Sequence, residues 1–441
     1  MKLANYVLGQ LMKKGADDVV VSSENKVSQL IKFSENKINA TKNWELNNLN
    51  VFLAINKKLV TTNIRDISQA STDEIIKKLL AYAESAPVNH EYQGIAHGPF
   101  SYKEIPKTYD PKILSMGEQS IDYVEQAIDQ AKTIGAKRSA GVFETVHSQT
   151  ELLTSHNVKA TEKSTQLYFS IRCFADKFAS GHMVCVSRTL KDFEIEDTVS
   201  RAAKTAIESK NPQRIEAGTY DVVFDHMPFA NLLGQVGQAS SAFSVEAGLS
   251  CLANKIGEKV GSEIITLSDC PCLPNGFNST MFDDEGTPTK NKQIIQNGKL
   301  KTYLHNTSTG KRHNTTTTGN AGILSPEPFN LVLEAGKVSK QEMIESVKLG
   351  VYLTNVWYTR FQNYNTGDFS TIPRDGAFLI KNGKLVHPVK ELRVSDNLLN
   401  ILKSTAILTK ETKQVFGWEV NIPVVTPIAL VNGVRVTRSE K

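Results

Sequence analysis

The stretch Gly376-Ala377-Phe378-Leu379-Ile380-Lys381-Asn382-Gly383-Lys384-Leu385-Val386-His387 decides the fold class. Two short apolar runs flank Asn382-Gly383, and Asn-Gly supplies the positive φ angles of a tight type I′ hairpin. The same dipeptide recurs at Asn297-Gly298 and Asn432-Gly433, again between strand-like flanks. Three such turns predict a mainly antiparallel β domain over residues 219–441. A strand over 220–224 and helices over about 228–241 and 245–256 open it. One further helix is expected over 339–349, with Ser339 as N-cap and Glu342 closing a capping box.

The chain before this domain reads differently. Leu3, Tyr6, Val7, Leu11 and Met12 recur at helical spacing, and Gly15 ends the helix. Strand-like segments follow over 18–22, 27–33, 37–42, 47–54 and 58–62, with Asn36 and Asn56 at turns. A helix over 72–85 takes Thr72 as its N-cap. Pro87, Pro99, Pro106 and Pro111 then mark a linker or wrapping loop. After it the pattern returns, offset by about 120 residues, the scale of a domain repeat. A helix is expected over 117–133, strands over 138–146, 149–155, 161–175 and 181–186, and a helix over 192–209. Gly135-Ala136 echoes Gly15-Ala16. The prediction is an α+β protein. Residues 1–110 and 111–218 form two helix–antiparallel sheet–helix modules, and 219–441 form the β domain.

The 441 residues are 40% hydrophobic and 22% charged, an ordinary globular balance. The net charge of +5 is scattered, with no run of five basic residues. That argues against direct nucleic-acid binding, which shows a basic stripe or a recognisable motif. Five cysteines in a chain of this size fit a reducing compartment better than a disulfide framework. The first apolar stretch is too short and interrupted for a secretory signal, and no apolar run approaches the ~18 residues of a membrane span. A cytoplasmic protein without membrane contact is expected.

Catalytic motifs are scarce. A zinc hydrolase needs three protein ligands and a carboxylate that activates water. No two of the nine histidines stand three to five residues apart, and Cys270-Pro271-Cys272 is the only close thiol pair. There is no nucleophile elbow, phosphate loop or dinucleotide fingerprint. Cys251 reads as a buried thiol within the helix over 245–256. Three polar clusters do stand out. Phe282-Asp283-Asp284-Glu285-Gly286-Thr287-Pro288-Thr289 puts three acids in a row, either a solvated turn or a polar site. Thr315-Thr316-Thr317-Thr318-Gly319-Asn320-Ala321-Gly322 reads as a strand followed by a turn that lets the backbone approach another group. The strip from Thr354 to Gly376 interleaves aromatic residues with Asn, Gln and Arg. It reads either as a half-buried sheet face or as a surface that grips an extended peptide by adding a strand.

Taken in order, these stretches resemble the TldD/PmbA family, long described as modulators of DNA gyrase and including subunits of a peptide-processing metalloprotease. The resemblance is carried by Met281–Thr289, Asn297–Leu304, Thr317–Gly322, Gly350–Thr354 and Thr366–Ser370. In TldD-type chains of the family a His-Glu-x-x-x-His motif and a later Cys hold the catalytic metal. The equivalent stretch here is Leu232-Leu233-Gly234-Gln235-Val236-Gly237-Gln238-Ala239, with Gly234 and Ala239 at the histidine positions and Gln235 at the glutamate. The resemblance therefore implies a PmbA/TldE-type chain with no catalytic or metal-binding residue. Zinc is expected in a TldD-type partner, and a peptide is the expected substrate of the heterodimer. A homodimeric peptide-binding regulator and a gyrase-linked modulator are the alternatives. The residues expected at a substrate site are Asp283, Asp284, Glu285, Asn320, Arg360, Asn363, Asp368 and Arg374.

Overall fold

Left-handed backbone at Glu35-Asn36 (φ 50° and 58°) and Asn56-Lys57 (φ 48° and 60°) closes two tight hairpins, as the turn chemistry requires. The computed structural model describes residues 2–65 and 68–438. Its first module is α1 (Lys2–Lys13), β1 (Asp18–Ser34), β2 (Lys37–Ile55), β3 (Lys58–Ile64) and α2 (Gln69–Ser85). Its second is α3 (Pro111–Leu114), α4 (Gln119–Ile134), β4 (Arg138–Thr154), β5 (Lys159–Phe174), β6 (Ser180–Ser187) and α5 (Ile195–Glu208).

The five strand-like segments expected before residue 62 are three long strands. Segments 18–22 and 27–33 are both β1, and 37–42 and 47–54 are both β2. Their polar middles, Glu24-Asn25-Lys26 and Asn43-Trp44-Glu45, look like breaks in sequence. They are in fact mid-ladder residues, half-buried in β1 and mostly exposed in β2. The segments 138–146 and 149–155 likewise join into β4. Helix α2 begins earlier than expected. Ser68 is its N-cap, and the Thr72 hydroxyl lies inside the helix, donating to the Ser68 carbonyl at 2.8 Å.

The six strands form one antiparallel sheet in the order β3-β2-β1-β4-β5-β6. Its seam is β1 against β4, in unbroken register from Val20↔Thr154 to Phe33↔Gly141. The order is symmetric about that seam, each module contributing three strands. Helices α1 and α2 bury Val7, Leu11 and Leu79 against Val19, Val21, Val51 and Leu53. A second apolar interior runs without a break from Val124, Phe143, Phe169 and Val199 into Phe224, Phe229, Leu233 and Val424.

The remaining chain is β7 (Gly218–Phe224), α6 (His226–Ala239), α7 (Ala242–Glu246), β8 (Leu267–Asp269), β9 (Lys292–Gln296), β10 (Lys299–Leu300), α8 (Thr307–Arg312), β11 (Leu331–Leu333) and α9 (Lys340–Glu345). There follow β12 (Leu349–Leu353), β13 (Val356–Asn363), β14 (Asp368–Pro373), β15 (Ala377–Lys381), β16 (Lys384–Pro388), β17 (Leu392–Asn397), α10 (Leu398–Lys403), β18 (Thr405–Gly417) and β19 (Val420–Arg438). Strand β19 is the spine, pairing with β7, β11, β17 and β18 along its length. Pairing is antiparallel except for β11–β19 and β7–β12.

Asn297-Gly298 and Asn382-Gly383 are the expected hairpin turns, with φ of 48° and 76°, and 50° and 74°. Asn432-Gly433 is not. It lies inside β19, where the register against β7 shifts between Val431 and Val434. The positive φ of Gly433 serves a bulge there instead of a reversal. Ser339 and Glu342 form the predicted capping box, but α9 stops at Glu345. The helix expected over 245–256 is also shorter. α7 ends at Glu246, Gly248 adopts φ 70°, and Cys251 is buried in the turns that follow. No helix among the described residues is long and apolar enough to cross a membrane.

Helix α5 packs tightly on the sheet at Gly181 in β6. A Cβ there would sit 2.2 Å from the Ala202 carbonyl oxygen and 2.8 Å from the Ala206 amide nitrogen of α5. Backbone cannot yield as a flexible side chain does. Gly181→Ala should therefore cost about 1–3 kcal/mol, read as a lowered thermal midpoint. An unchanged midpoint would mean that α5 is free to lift from the sheet.

Candidate functional site

The site is built on helix α6, and α6 is fixed at its start by a buried charge. Asp225, its N-cap, is 2% exposed and accepts from the His226 amide at 2.6 Å and from His226 Nδ1 at 2.7 Å. Arg201 from α5 pairs with it at 3.0 Å. The Tyr352 hydroxyl from β12 donates to it, and Lys340 Nζ donates to that hydroxyl at 2.6 Å. Burial alone would raise the carboxyl; Arg201, His226 and Lys340 outweigh it and hold Asp225 well below the usual carboxylate range.

One face of α6 is core. Leu232, Leu233 and Val236 are buried, and a Cβ at Gly237 would meet the Leu331 side chain at 2.5 Å. Asn231, Gly234, Gln235 and Gln238 share another face, at helical spacings of three and four. Asn231 is clamped there. Its Nδ2 donates to the Glu419 carbonyl at 2.6 Å, and its Oδ1 accepts from the Thr359 hydroxyl at 2.8 Å. This brings the β13–β14 and β18–β19 hairpins alongside the stripe. Gly234 is buried, yet no heavy atom lies within 4 Å of a Cβ built on it, so a gap the size of a side chain remains there; Gln235 is half-buried and Gln238 exposed. The family's metal does not fit this helix. Gly234 and Ala239 offer no donor atom, and the amide of Gln235 is no general base. Among the described residues, no three His, Cys, Asp or Glu side chains gather as a metal would need.

Beside the stripe runs a ladder of alternating cations and rings. Arg360 lies 4.1 Å from the Tyr358 ring centroid, and the Tyr358 and Trp357 rings are 5.7 Å apart. Arg374 lies 4.9 Å from Trp357 and 5.9 Å from Trp418, and Arg172 lies 4.6 Å from Trp418. Guanidinium groups over indole and phenol faces are attracted by the ring quadrupole. Three non-glycine residues at this spot adopt left-handed backbone: Tyr358 (φ 61°), Asp375 (φ 55°) and Trp418 (φ 58°). Such conformations cost of order 1–3 kcal/mol each and cluster at functional sites. At Val356 and Thr359 the strand edge is taken, however. The Val356 carbonyl accepts from Trp418 Nε1 at 3.0 Å, the Thr359 amide donates to Glu419 at 3.4 Å, and the Thr359 carbonyl accepts from Arg360 at 2.8 Å. Of the two readings of the strip, a half-buried sheet face agrees better with these bonds than strand addition at Val356 and Thr359, where side chains already take the backbone groups.

The eight expected site residues fall into three groups. Arg360 and Arg374 belong to the ladder. Asn363 and Asp368 shape the β13–β14 turn: Asn363 Oδ1 accepts from the Asn365 amide at 2.9 Å, and Asp368 accepts from Asn397 Nδ2 at 2.9 Å. The other four sit where the acid loop meets the threonine loop. Asp283 accepts from the amides of Glu285 (3.0 Å), Thr287 (2.8 Å) and Ala321 (2.9 Å). Asn320 is fully buried, bonded to Asp269 (2.7 Å), Lys292 (2.7 Å) and Thr318 (2.8 Å), and cannot reach a ligand. Asp284 is exposed, while Glu285 is buried against Thr307, whose hydroxyl donates to it. Thr315–Thr318 form no strand. The hydroxyls of Thr317 and Thr318 tie the loop to the His305 carbonyl, each at 3.1 Å. Gly319 makes the close approach expected of it, its Cβ position 2.9 Å from the Pro288 carbonyl oxygen. Arg172, Trp418, Glu419 and Asn231 were missed. Only Gly417-Trp418, a turn signal between two apolar runs, could have pointed to one of them.

Burial, and then the neighbouring Asp283, push the Glu285 carboxyl far above its ordinary 4.5. Asp283 is also raised by burial but has three amide donors, so Glu285 is the one that keeps the proton. The sign follows from linkage. Above pH 4.5 the unfolded chain has released this proton and the folded one has not, so stability falls as pH rises. Glu285→Gln removes that loss. Its denaturation midpoint should overtake the wild type's progressively between about pH 5 and pH 8, with a slope approaching about 1.4 kcal/mol per unit. A difference independent of pH would show Glu285 ionised throughout.

Two family models match: the PmbA/TldA metallopeptidase central domain over residues 117–210 and the C-terminal domain over residues 217–438. A metalloprotease of Methanocaldococcus jannaschii is 27% identical over 382 residues, 81% of this chain and 82% of that one. The metalloprotease PmbA homolog of Haemophilus influenzae is 28% identical over 202 residues, 46% of this chain and 44% of its own. The fold is that of TldE from Thermococcus kodakarensis, with a TM-score of 0.86 at 20% identity over 99% of this chain and 100% of that one. This chain belongs to the TldD/PmbA metallopeptidase family.

Proposed function

We propose that this chain is the non-catalytic, metal-free, PmbA/TldE-type subunit of a TldD/TldE-type metalloprotease that hydrolyses peptides or unfolded segments. The observation that carries the reading is the set of side chains on the polar stripe of α6. At the positions the family's metal motif would occupy stand Gly234, Gln235 and Ala239, and at buried Gly234 the space of a side chain is unfilled. Amide side chains and a glycine gap beside a ladder of cations and rings suit substrate holding, while bond cleavage needs a polarised water that these side chains cannot produce. The catalytic zinc then belongs to a TldD-type partner, and this chain shapes and lines the shared chamber.

The test is to express the chain alone and with a TldD-type chain from the same source. Zinc content and cleavage of an unfolded peptide are measured for each chain and for the assembly. The expected outcome is an isolable complex in which cleavage needs both chains and zinc is stoichiometric with the partner only. Stoichiometric metal and cleavage by this chain alone would sink the proposal.

A further inference from the structure

Two guanidinium groups share one carboxylate at the end of the ladder. The side chain of Asp375 is fully buried, and it accepts from the Ser180 hydroxyl at 2.6 Å and pairs with Arg172 at 2.9 Å. Arg374 reaches it only at 4.0 Å, is itself 42% exposed, and has no hydrogen-bond acceptor among the described residues. The imidazole of His182, edge-on to Trp418 at 5.0 Å, is neutral at physiological pH, since burial pushes it down to about 4. Two positive charges against one negative leave one positive charge unmatched. It stands beside the exposed rings of Trp357 and Trp418. A guanidinium fork matches a carboxylate in shape and charge.

The neighbouring backbone decides which carboxylate. The carbonyls of Val356 and Thr359 and the amide of Thr359 are capped by Trp418, Arg360 and Glu419. A peptide running through the ladder as a strand would find those groups taken. A peptide that ends there needs none of them. We infer that the ladder binds the terminal carboxylate of a peptide, with Arg374 forming the ion pair and the last side chain lying on Trp357 and Trp418. The inference rests on the peptide-holding part of the proposed function and names the end of the substrate that this chain holds.

The test uses the full chain without partner. Two of its three tryptophans lie in the ladder, so intrinsic fluorescence reports on it, with calorimetry as a second readout. The probes are one unstructured peptide of about eight residues ending in Leu, as free acid, as C-terminal amide, and as amide with an internal Glu. The free acid should bind about tenfold or more tightly than either amide, a difference of about 1.4 kcal/mol. Arg374→Gln, at an exposed position, should erase the difference with circular dichroism unchanged, and Arg374→Lys should keep part of it. Equal binding of acid and amide would overturn the inference, as would a difference that survives both Arg374→Gln and Arg172→Gln. Restoration by the internal Glu would assign the site to side-chain carboxylates and overturn the terminal reading. If Arg374→Gln abolishes assembly with a TldD-type chain while acid and amide bind alike, the ladder is a subunit contact instead. None of these readouts involves cleavage, so their failure leaves the subunit proposal standing, and failure of that proposal leaves them readable.

Discussion

The Asp225 carboxylate is the constraint on which the site depends. It is buried, ionised and shared by groups from four elements: Arg201 of α5, His226 of α6, Lys340 of α9 and Tyr352 of β12. A buried charge is tolerated only when its partners stay in place, and removing one strands the others. The cluster therefore locks the start of α6 to the central module and to the large sheet at once. The apolar interior that crosses from Phe143 and Val199 to Phe229 and Leu233 completes the fixation. The polar stripe of α6 is thus held on a rigid helix, and Asn231 brings two hairpins to it.

What those hairpins present is side chains more than backbone. The bulge in β13 turns Tyr358 and Thr359 out of register with β14; Glu419 and Arg360 take the Thr359 backbone groups, and Trp418 takes the carbonyl of Val356 beside them. An edge strand closed in this way is protected from promiscuous pairing. The left-handed residues Tyr358, Asp375 and Trp418 hold the rings and the buried carboxylate where the arginines meet them. The acid loop follows a different logic. Asp283 and Asn320 are satisfied by amides and by Lys292, so they join loops instead of meeting ligands.

Much of the fold was legible because it rests on local rules. Asn-Gly between apolar runs gave two hairpins, and the Ser339–Glu342 box gave a helix start. Where local signals serve two purposes, the reading fails. Gly433 needs the same positive φ for a bulge as for a turn. The polar centres of β1 and β2 look like loops because no residue of Glu24–Lys26 or Asn43–Glu45 is fully buried, so the apolar alternation lapses there. The site was half legible. The strip from Trp357 to Arg374 stands out in sequence, but its partners Arg172 and Trp418 come from β5 and the β18–β19 turn. Only tertiary contact brings them within ring distance.

The central claim is that the chain holds substrate and supplies no catalytic group. It is tested most directly by assembling it with a TldD-type partner whose motif glutamate has been replaced by glutamine, and measuring cleavage of an unfolded peptide. The account predicts a complex that still binds peptide and cleaves none. Residual zinc-independent cleavage by that complex, abolished by a substitution in this chain, would contradict it.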